Sequence, residues 1–142
     1  MRRTNLLLAG LLLSLVSFGS DTQKDYGDKA EVVGIEGTWL LTEIEGNLQK
    51  VNAADSGCLL TFHAGTLTCR FYNTPYGSAS YRLDPTCKPP HLDYIHADGT
   101  VQRLIYQIDK NTLRIAGILD REQRPKGFND DTVVVYIYKR AR

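Results

Sequence analysis

The chain has 142 residues, of which 42% are hydrophobic and 23% are charged, with a formal net charge of +1. This balance is typical of a globular domain and excludes collagen-like, low-complexity and fully disordered chains. A chain of this length predicts one domain. Because there is no excess of basic residues to neutralise a phosphate backbone, we do not expect it to bind nucleic acid.

The N-terminus has the three parts of a secretory signal peptide. Arg2 and Arg3 form a basic start, residues 6–16 are almost wholly apolar, and small residues, Ser17 and Gly19, precede Ser20. The apolar run is shorter than the ~20 residues that span a bilayer. We therefore predict a signal peptide over residues 1–19, export to the periplasm or the extracellular space, and no stable membrane insertion after cleavage. An uncleaved N-terminal anchor is the alternative.

The remainder of the chain predicts a short leader and a β-domain. Residues 20–32 are polar and aperiodic, which favours a flexible leader, and the domain is predicted over residues 33–140. Apolar residues in the domain recur with a period of two, which predicts strands and no helix. The predicted strands are residues 38–45, 58–63, 66–71, 78–83, 91–96, 100–108, 112–119 and 132–139.

Short polar turns connect most of these strands. Ala64-Gly65 and Asp98-Gly99 are hairpin signals, because glycine adopts a positive φ without strain. Eight antiparallel strands with short connections must hide their edges, and closure into a barrel removes those edges. We therefore predict an all-β fold, an eight-stranded antiparallel up-and-down barrel, with a β-sandwich as the alternative. The one long early connector, residues 46–57, is expected to overhang a mouth of the barrel.

The alternation along the strands also predicts which residues form the core. An eight-stranded barrel has room for side chains or for one small ligand, and these short strands predict a shallow cavity. The predicted core residues are Cys58, Leu60, Phe62, Leu67, Cys69, Phe71, Leu104, Tyr106, Ile108, Val133, Val135 and Ile137.

The two ends of the domain resemble those of lipocalins. Gly37-Thr38-Trp39 opens the first strand and Arg140 follows the last. In lipocalins a G-x-W motif places its Trp on the barrel floor beside a basic residue of the final strand. A cation over an aromatic ring contributes ~0.5–2 kcal/mol. The resemblance therefore implies that Trp39 and Arg140 close the barrel.

Further motifs extend this resemblance over roughly residues 35–140. They are YRLDP at residues 81–85, KPPHLD at 88–93, IYQID at 105–109 with TLRI at 112–115, and RPKGF at 124–128. In this order they resemble a small lipocalin-like domain family of unknown function that is abundant in planctomycete bacteria. The resemblance implies the barrel fold and export, and it brings no active site. Members often carry a cysteine where this chain has Ala116.

Residues with reactive side chains give few signals. The chain has no familiar hydrolase, phosphate-binding or zinc-protease motif, so we predict no catalytic residue, no metal and no cofactor. Cys58 and Cys69 are diagonal neighbours on one hairpin, ~7–8 Å apart at Cα, which favours buried free thiols over a disulfide. Cys87 is the candidate exposed thiol. His91 and His96 are five residues apart on one predicted strand, so their side chains point to opposite faces and cannot readily share a metal. All three histidines, including His63, are expected on the surface or in turns.

Two functions remain open after these observations. The first is binding of a small apolar or amphipathic ligand, and the candidate pocket residues are Tyr81, Tyr94, Arg103 and Tyr106, because they lie on the central strands. The second is a solid-core interaction module without a small-molecule ligand. In that case residues 46–57 and 117–131 would contact protein or polymer. An enzyme is not expected.

Overall fold

The computed structural model describes residues 34–47 and 49–142. The predicted signal peptide (residues 1–19) and leader (residues 20–32) lie outside the described residues. The described part of the chain forms nine strands and one 3₁₀ turn at Ala54–Ser56. The strands are β1 (Gly37–Gly46), β2 (Gln49–Asn52), β3 (Cys58–His63), β4 (Thr66–Phe71), β5 (Thr74–Asp84), β6 (His91–Ile95), β7 (Val101–Asp109), β8 (Thr112–Ile118) and β9 (Val133–Arg140).

These strands close into a barrel. From β3 to β9 each strand pairs with the next one along the chain, and β1 pairs with β9, which closes the wall. All pairings are antiparallel. The predicted eight-stranded antiparallel barrel, lipocalin-like in shape, is confirmed, and the sandwich alternative is not the fold that forms.

The strand β2 is an addition to the prediction. The first part of β1, residues 37–40, pairs with β3, and its last part, residues 43–46, pairs with β2. β2 and β3 therefore occupy one position in the wall, one after the other, with the 3₁₀ turn between them. Residues 46–57 were expected to be a connector because β2 has no buried residue, so its sequence shows no apolar alternation.

The hairpin of β3 and β4 has the predicted register. Cys58 pairs with Phe71 and His63 pairs with Thr66, and Ala64 and Gly65 turn the chain with φ of 49° and 80°. Positive φ at both central residues matches the right-handed twist of the strands. The predicted inner face of this hairpin is therefore confirmed.

Side chains from all around the wall fill the lumen of the barrel. Large apolar and aromatic side chains make up this interior cluster. It includes all core residues predicted on β3, β4 and β7, although Phe71 and Ile108 are only partly buried. Its buried members are Ile35, Trp39, Leu41, Ile44, Ala53, Cys58, Leu60, Phe62, Leu67, Cys69, Leu92, Tyr94, Leu104, Tyr106, Leu113, Ile115, Tyr136 and Tyr138.

The last strand has the opposite orientation to the one predicted. Tyr136 and Tyr138 point into the lumen, whereas Val133, Val135 and Ile137 pack in a second cluster on the outer face. Both faces of β9 are apolar, so alternation alone cannot assign them. The prediction that these three residues line the lumen is wrong, although Val133 and Val135 are buried.

One end of the barrel, here called the floor, is built around Trp39. Its ring is fully buried, and its Nε1 donates a hydrogen bond to the Ile35 carbonyl at 2.7 Å. The Arg140 guanidinium lies 4.1 Å from the ring centroid. The same guanidinium donates to the carbonyls of Glu36 at 2.9 Å and Gly34 at 3.1 Å. Arg140 thus ties the segment before β1 to the end of β9, with the indole between them.

The opposite end, here called the mouth, carries the longest connection of the barrel. Residues 119–132, here called the strap, leave the mouth after β8 and run along the outer face of β6 and β7. Arg124 anchors the strap: it donates to Asp93 Oδ1 and to the Leu104 carbonyl, each at 2.6 Å. A second arginine, Arg82, approaches Asp93 Oδ2 at 3.3 Å. Asp93 and Arg124 come from two of the sequence motifs, and their contact gives both motifs a structural role.

The second contact of the strap is Phe128. Its ring packs against the outer cluster of Ile105, Ala116, Val133 and Val135. The Arg114 guanidinium lies 4.7 Å from the centroid of the Phe128 ring. Apolar residues on the outside of β7, β8 and β9 are therefore covered by the chain itself.

We expect the two arginines on Asp93 to contribute very differently to stability. The side chain of Arg124 is 17% exposed and that of Arg82 is 67% exposed. Arg124→Ala leaves a buried carboxylate without its main partner and should cost about 3–5 kcal/mol, whereas Arg82→Ala should cost about 0–1 kcal/mol. Urea denaturation of both variants measures the difference. Equal losses would show that the strap is not anchored by this ion pair.

Candidate ligand-binding site at the barrel mouth

The three candidate tyrosines all face the lumen, but their hydroxyls do not converge. Tyr81 and Tyr94 are opposite each other in the β5–β6 register, and Tyr106 is buried on β7. The Tyr81 hydroxyl donates to Glu36 Oε1 at 2.9 Å. Burial, with the Glu36 hydrogen bond, raises the pKa of Tyr81 to about 12. Its ring stands edge-on to Phe62 with centroids 5.1 Å apart. Tyr81 thus belongs to the packing next to the floor.

The structure does not bring Arg103 to these tyrosines. Arg103 is exposed, and it pairs with Asp93 in the β6–β7 register. Side chains alternate along a strand, so Arg103 points away from the face that carries its buried neighbours, Gln102 and Leu104. Tyr106 and Leu104 belong to the interior cluster, and Arg103 lies on the outer face beside Asp93.

Large side chains occupy the lumen itself. Trp39, Phe62, Tyr94 and Tyr138 are all less than 2% exposed. An eight-stranded barrel is just wide enough to be filled by side chains or to hold a small ligand, and here side chains do the filling. A ligand site must therefore be sought nearer the mouth.

Buried side-chain atoms without hydrogen-bond partners lie at that end of the lumen. Gln102 pairs with Tyr94 across β6 and β7, and His96 follows β6 with the same parity as Tyr94. The exposed fractions are 8% for His96, 2% for Gln102 and 1% for Tyr94. Both ring nitrogens of His96, Oε1 of Gln102 and the hydroxyl of Tyr94 have no hydrogen-bond partner in the structure.

Such atoms are uncommon in folded proteins. Most buried polar groups have a hydrogen-bond partner, and one without a partner costs about 1–3 kcal/mol. Here four come from three neighbouring residues on one side of the barrel. A cluster of this kind needs an explanation, and a bound molecule that supplies the missing hydrogen bonds is a direct one.

A cleft of about 490 Å³ opens over His96 and Gln102. It lies between the β6–β7 turn and the first residues of the strap, and its volume falls within the range of small-molecule sites. Its lining residues are His96, Asp98, Thr100, Val101, Gln102, Leu119, Asp120, Arg121 and Glu122.

The strap forms one wall of this cleft and is fixed in place. The Arg103 amide donates to the Arg121 carbonyl at 2.9 Å, just before the Arg124 anchor. Asp120 Oδ1 accepts a hydrogen bond from the Glu122 amide at 3.2 Å. The opposite wall is the turn after β6, where Asp98 Oδ1 accepts from the Thr100 amide. Each wall is therefore held by its own hydrogen bonds.

The electrostatics of the cleft keep His96 neutral near pH 7. Burial lowers the pKa of His96; the Asp98 charge offsets part of this effect, and the Arg121 charge lowers the pKa further. The hydroxyl and amide of Thr100 donate to Asp98 and lower the pKa of that carboxyl, which keeps it ionised. A neutral imidazole offers one donor and one acceptor.

A second, smaller cleft lies at the same end of the barrel. It measures about 290 Å³ and is bordered by the predicted loops at residues 46–57 and 117–131. The structure thus brings the two candidate interaction loops together. The lining residues of this cleft are Glu45, Gly46, Asn47, Gln49, Lys50, Phe128, Asn129, Asp130, Asp131, Val133 and Val135.

The cysteines are free in the structure. Cys58 and Cys69 are buried in the interior cluster, and Cys87 is partly exposed with its thiol 3.4 Å from Asp84 Oδ2. A hydrogen bond to Cys58, together with burial, raises the pKa of the Cys69 thiol. The Cys69 thiol is therefore held in the protonated, unreactive form.

His96 begins the β6–β7 turn, where its carbonyl accepts a hydrogen bond from the Gly99 amide at 2.9 Å, so it lies in a turn as expected, but its side chain is not on the surface. His63 is exposed and His91 is half-buried, whereas the His96 side chain is buried and lines the mouth cleft. The only signal in the sequence was parity: His96 and Gln102 share the inner face with Tyr94. That signal could have placed them inside, but the wall above them comes from the strap, which is distant in sequence.

Comparison of the chain with protein-family models, curated proteins and solved structures finds no match. The fold alone therefore defines the class, a closed lipocalin-like barrel. Within residues 34–47 and 49–142, no three His, Cys, Asp or Glu residues form a group suited to a metal ion. The same residues contain no helix that is both long enough and apolar enough to cross a membrane.

The lowered pKa of His96 predicts a pH dependence of stability. The unfolded chain binds a proton near the ordinary value of 6.5, whereas folded His96 does so only at lower pH. Protonation therefore disfavours the folded state, so stability is highest above pH 6.5 and falls progressively as the pH drops from there to the folded pKa. Urea denaturation across this range, in wild type and His96→Leu, isolates the effect.

Gln123→Leu is the control, because Gln123 is exposed on the strap and carries no titratable group. We expect this variant to keep the wild-type pH slope and His96→Leu to have a smaller one. A slope that is unchanged in His96→Leu would mean that folded His96 titrates like the free side chain.

Proposed function

We propose that this protein is an exported barrel that binds a small molecule at its mouth. The observation that carries the proposal is a pair of buried side chains, His96 and Gln102, that line a cleft of about 490 Å³ and carry polar atoms without hydrogen-bond partners. The filled lumen supports a site at the mouth and not deep inside the barrel.

Export and family membership are part of this proposal. Export is supported by the basic, apolar and small-residue pattern of residues 1–19. Membership of the lipocalin-like family abundant in planctomycete bacteria remains a prediction from the sequence motifs. The contacts of Trp39 with Arg140 and of Asp93 with Arg124 are compatible with it, since they give structural roles to motif residues.

A solid-core interaction module is the second candidate function. The observation in its favour is that the loops of residues 46–57 and 117–131 border one cleft next to the mouth. In that case the loops would contact a protein or polymer, and the barrel would only hold them in place.

Native mass spectrometry distinguishes the two candidates. The full chain is expressed in bacteria with its N-terminal segment and incubated with a small-molecule extract of the same cells. Its mass is then measured under native and denaturing conditions. We expect a discrete mass increment that is present only in the native spectrum. The denaturing mass reports whether the segment before Ser20 has been removed.

Variants then locate the bound molecule. His96→Leu with Gln102→Leu should abolish the increment, because both hydrogen-bonding side chains are lost. Gln123→Leu, an exposed change on the strap outside the cleft lining, should keep it. An increment that survives in the double variant would place the ligand elsewhere, and no increment in wild type would favour the interaction module.

A further inference from the structure

His96 and Gln102 line the mouth cleft, and their polar atoms without partners define the ligand group that would satisfy them. This inference rests on the proposed function. Gln102 Oε1 can only accept a hydrogen bond. Neutral His96 has one nitrogen that donates and one that accepts, and the hydroxyl of Tyr94, which pairs with Gln102 in the strand register, can do either. A group that satisfies this set must offer donors and acceptors on neighbouring atoms.

The charges around the cleft disfavour an anionic ligand. Asp98, Asp120 and Glu122 contribute three carboxylates to the lining, and Arg121 contributes the one guanidinium among the lining residues. A carboxylate has no hydrogen to donate to Gln102 Oε1, and both a carboxylate and a phosphate group would approach like charges. The fatty acids expected of an apolar binding barrel therefore fit this cleft poorly.

A cationic ligand fits the rim but not the base. An ammonium group donates but cannot accept, so it leaves the donor nitrogen of His96 without a partner. Asp98 and Asp120 are already hydrogen-bonded within their own turns, to Thr100 and to Glu122. Burial of a charge beside His96 and Gln102 would also carry a desolvation cost that no buried counter-charge among the lining residues repays.

Neighbouring hydroxyl groups meet both requirements. Each hydroxyl donates one hydrogen bond and accepts others, and it carries no charge. Val101 and Leu119 add apolar surface to the cleft, on which the C–H face of a sugar ring can pack. We infer that the mouth cleft binds a neutral, hydroxyl-rich small molecule, a carbohydrate, through His96 and Gln102.

Side-chain NMR of the full chain tests this assignment. ¹⁵N-labelled protein is titrated separately with maltose, cellobiose, N-acetylglucosamine, laurate and spermidine at equal millimolar concentrations. The signals followed are the His96 ring nitrogens and the Gln102 side-chain amide. We expect at least one saccharide to shift both, while laurate and spermidine shift neither.

Single variants give the matched comparison. His96→Leu and Gln102→Leu should each weaken saccharide binding by about tenfold, the effect of one lost hydrogen bond. Both should remain folded, because each change removes a buried polar atom that has no partner in the protein. Gln123→Leu should bind like wild type. The Gln102 side-chain amide reports binding in His96→Leu, and the His96 ring nitrogens report it in Gln102→Leu.

The outcomes separate the inference from the proposed function. If laurate or spermidine shifts His96 and Gln102 and no saccharide does, the mouth site stands and the carbohydrate assignment is overturned. If no probe shifts either side chain, the carbohydrate assignment is overturned, and if the cell extract also adds no mass to wild type, the proposed function is overturned with it. Saccharide binding that is unchanged in both leucine variants would also overturn the inference, since the contact would then lie elsewhere.

Discussion

The antiparallel pairing of β1 with β9 is the constraint on which the rest of the structure depends. It joins the first and last strands of the domain, and through it each side chain of the wall faces either the lumen or the outside. Arg140 reinforces this junction at the floor, where it holds the Trp39 ring and the segment before β1 together. Closure also gives β1 and β3 to β9 a partner on both sides, which removes the free edges at which β-sheets associate with other chains, and leaves β2 paired only with β1.

Closure at this strand number has a consequence for function. The lumen is narrow, and Trp39, Phe62, Tyr94 and Tyr138 fill it. Space for another molecule therefore occurs where the wall ends, between the β6–β7 turn and the strap. The Arg124–Asp93 ion pair holds the strap against β6 and β7, so a contact on the outer face shapes the cleft at the mouth.

The sequence predicts those parts of the fold that depend on local patterns. The β3–β4 hairpin was predictable because Ala64-Gly65 fixes its turn and each face has a clear polarity. β9 was assigned to the wrong face because its outer side is apolar as well, and its cover, Phe128, comes from the strap. β2 was missed because it buries no side chain, so its sequence shows no apolar alternation. It forms a strand through its pairing with the last part of β1.

The candidate site was less predictable for the same reason. Tyr94, one of the candidate pocket residues, faces the lumen, but the importance of His96 and Gln102 depends on the strap, which forms one wall of the cleft that they line. Alternation along the strand does predict the position of Arg103, since its neighbours Gln102 and Leu104 are buried and Arg103 must therefore point to the outer face. Residues joined only by tertiary structure leave no pattern in a single sequence.

Amide hydrogen exchange measured residue by residue tests the closed barrel most directly. If β1 and β9 close the wall, their paired amides should exchange only through global unfolding, as slowly as the central amides of β7 and β8. Exchange of the β1 and β9 amides through a much easier local opening, while β7 and β8 stay protected, would contradict closure and with it the assignment of inside, outside and mouth.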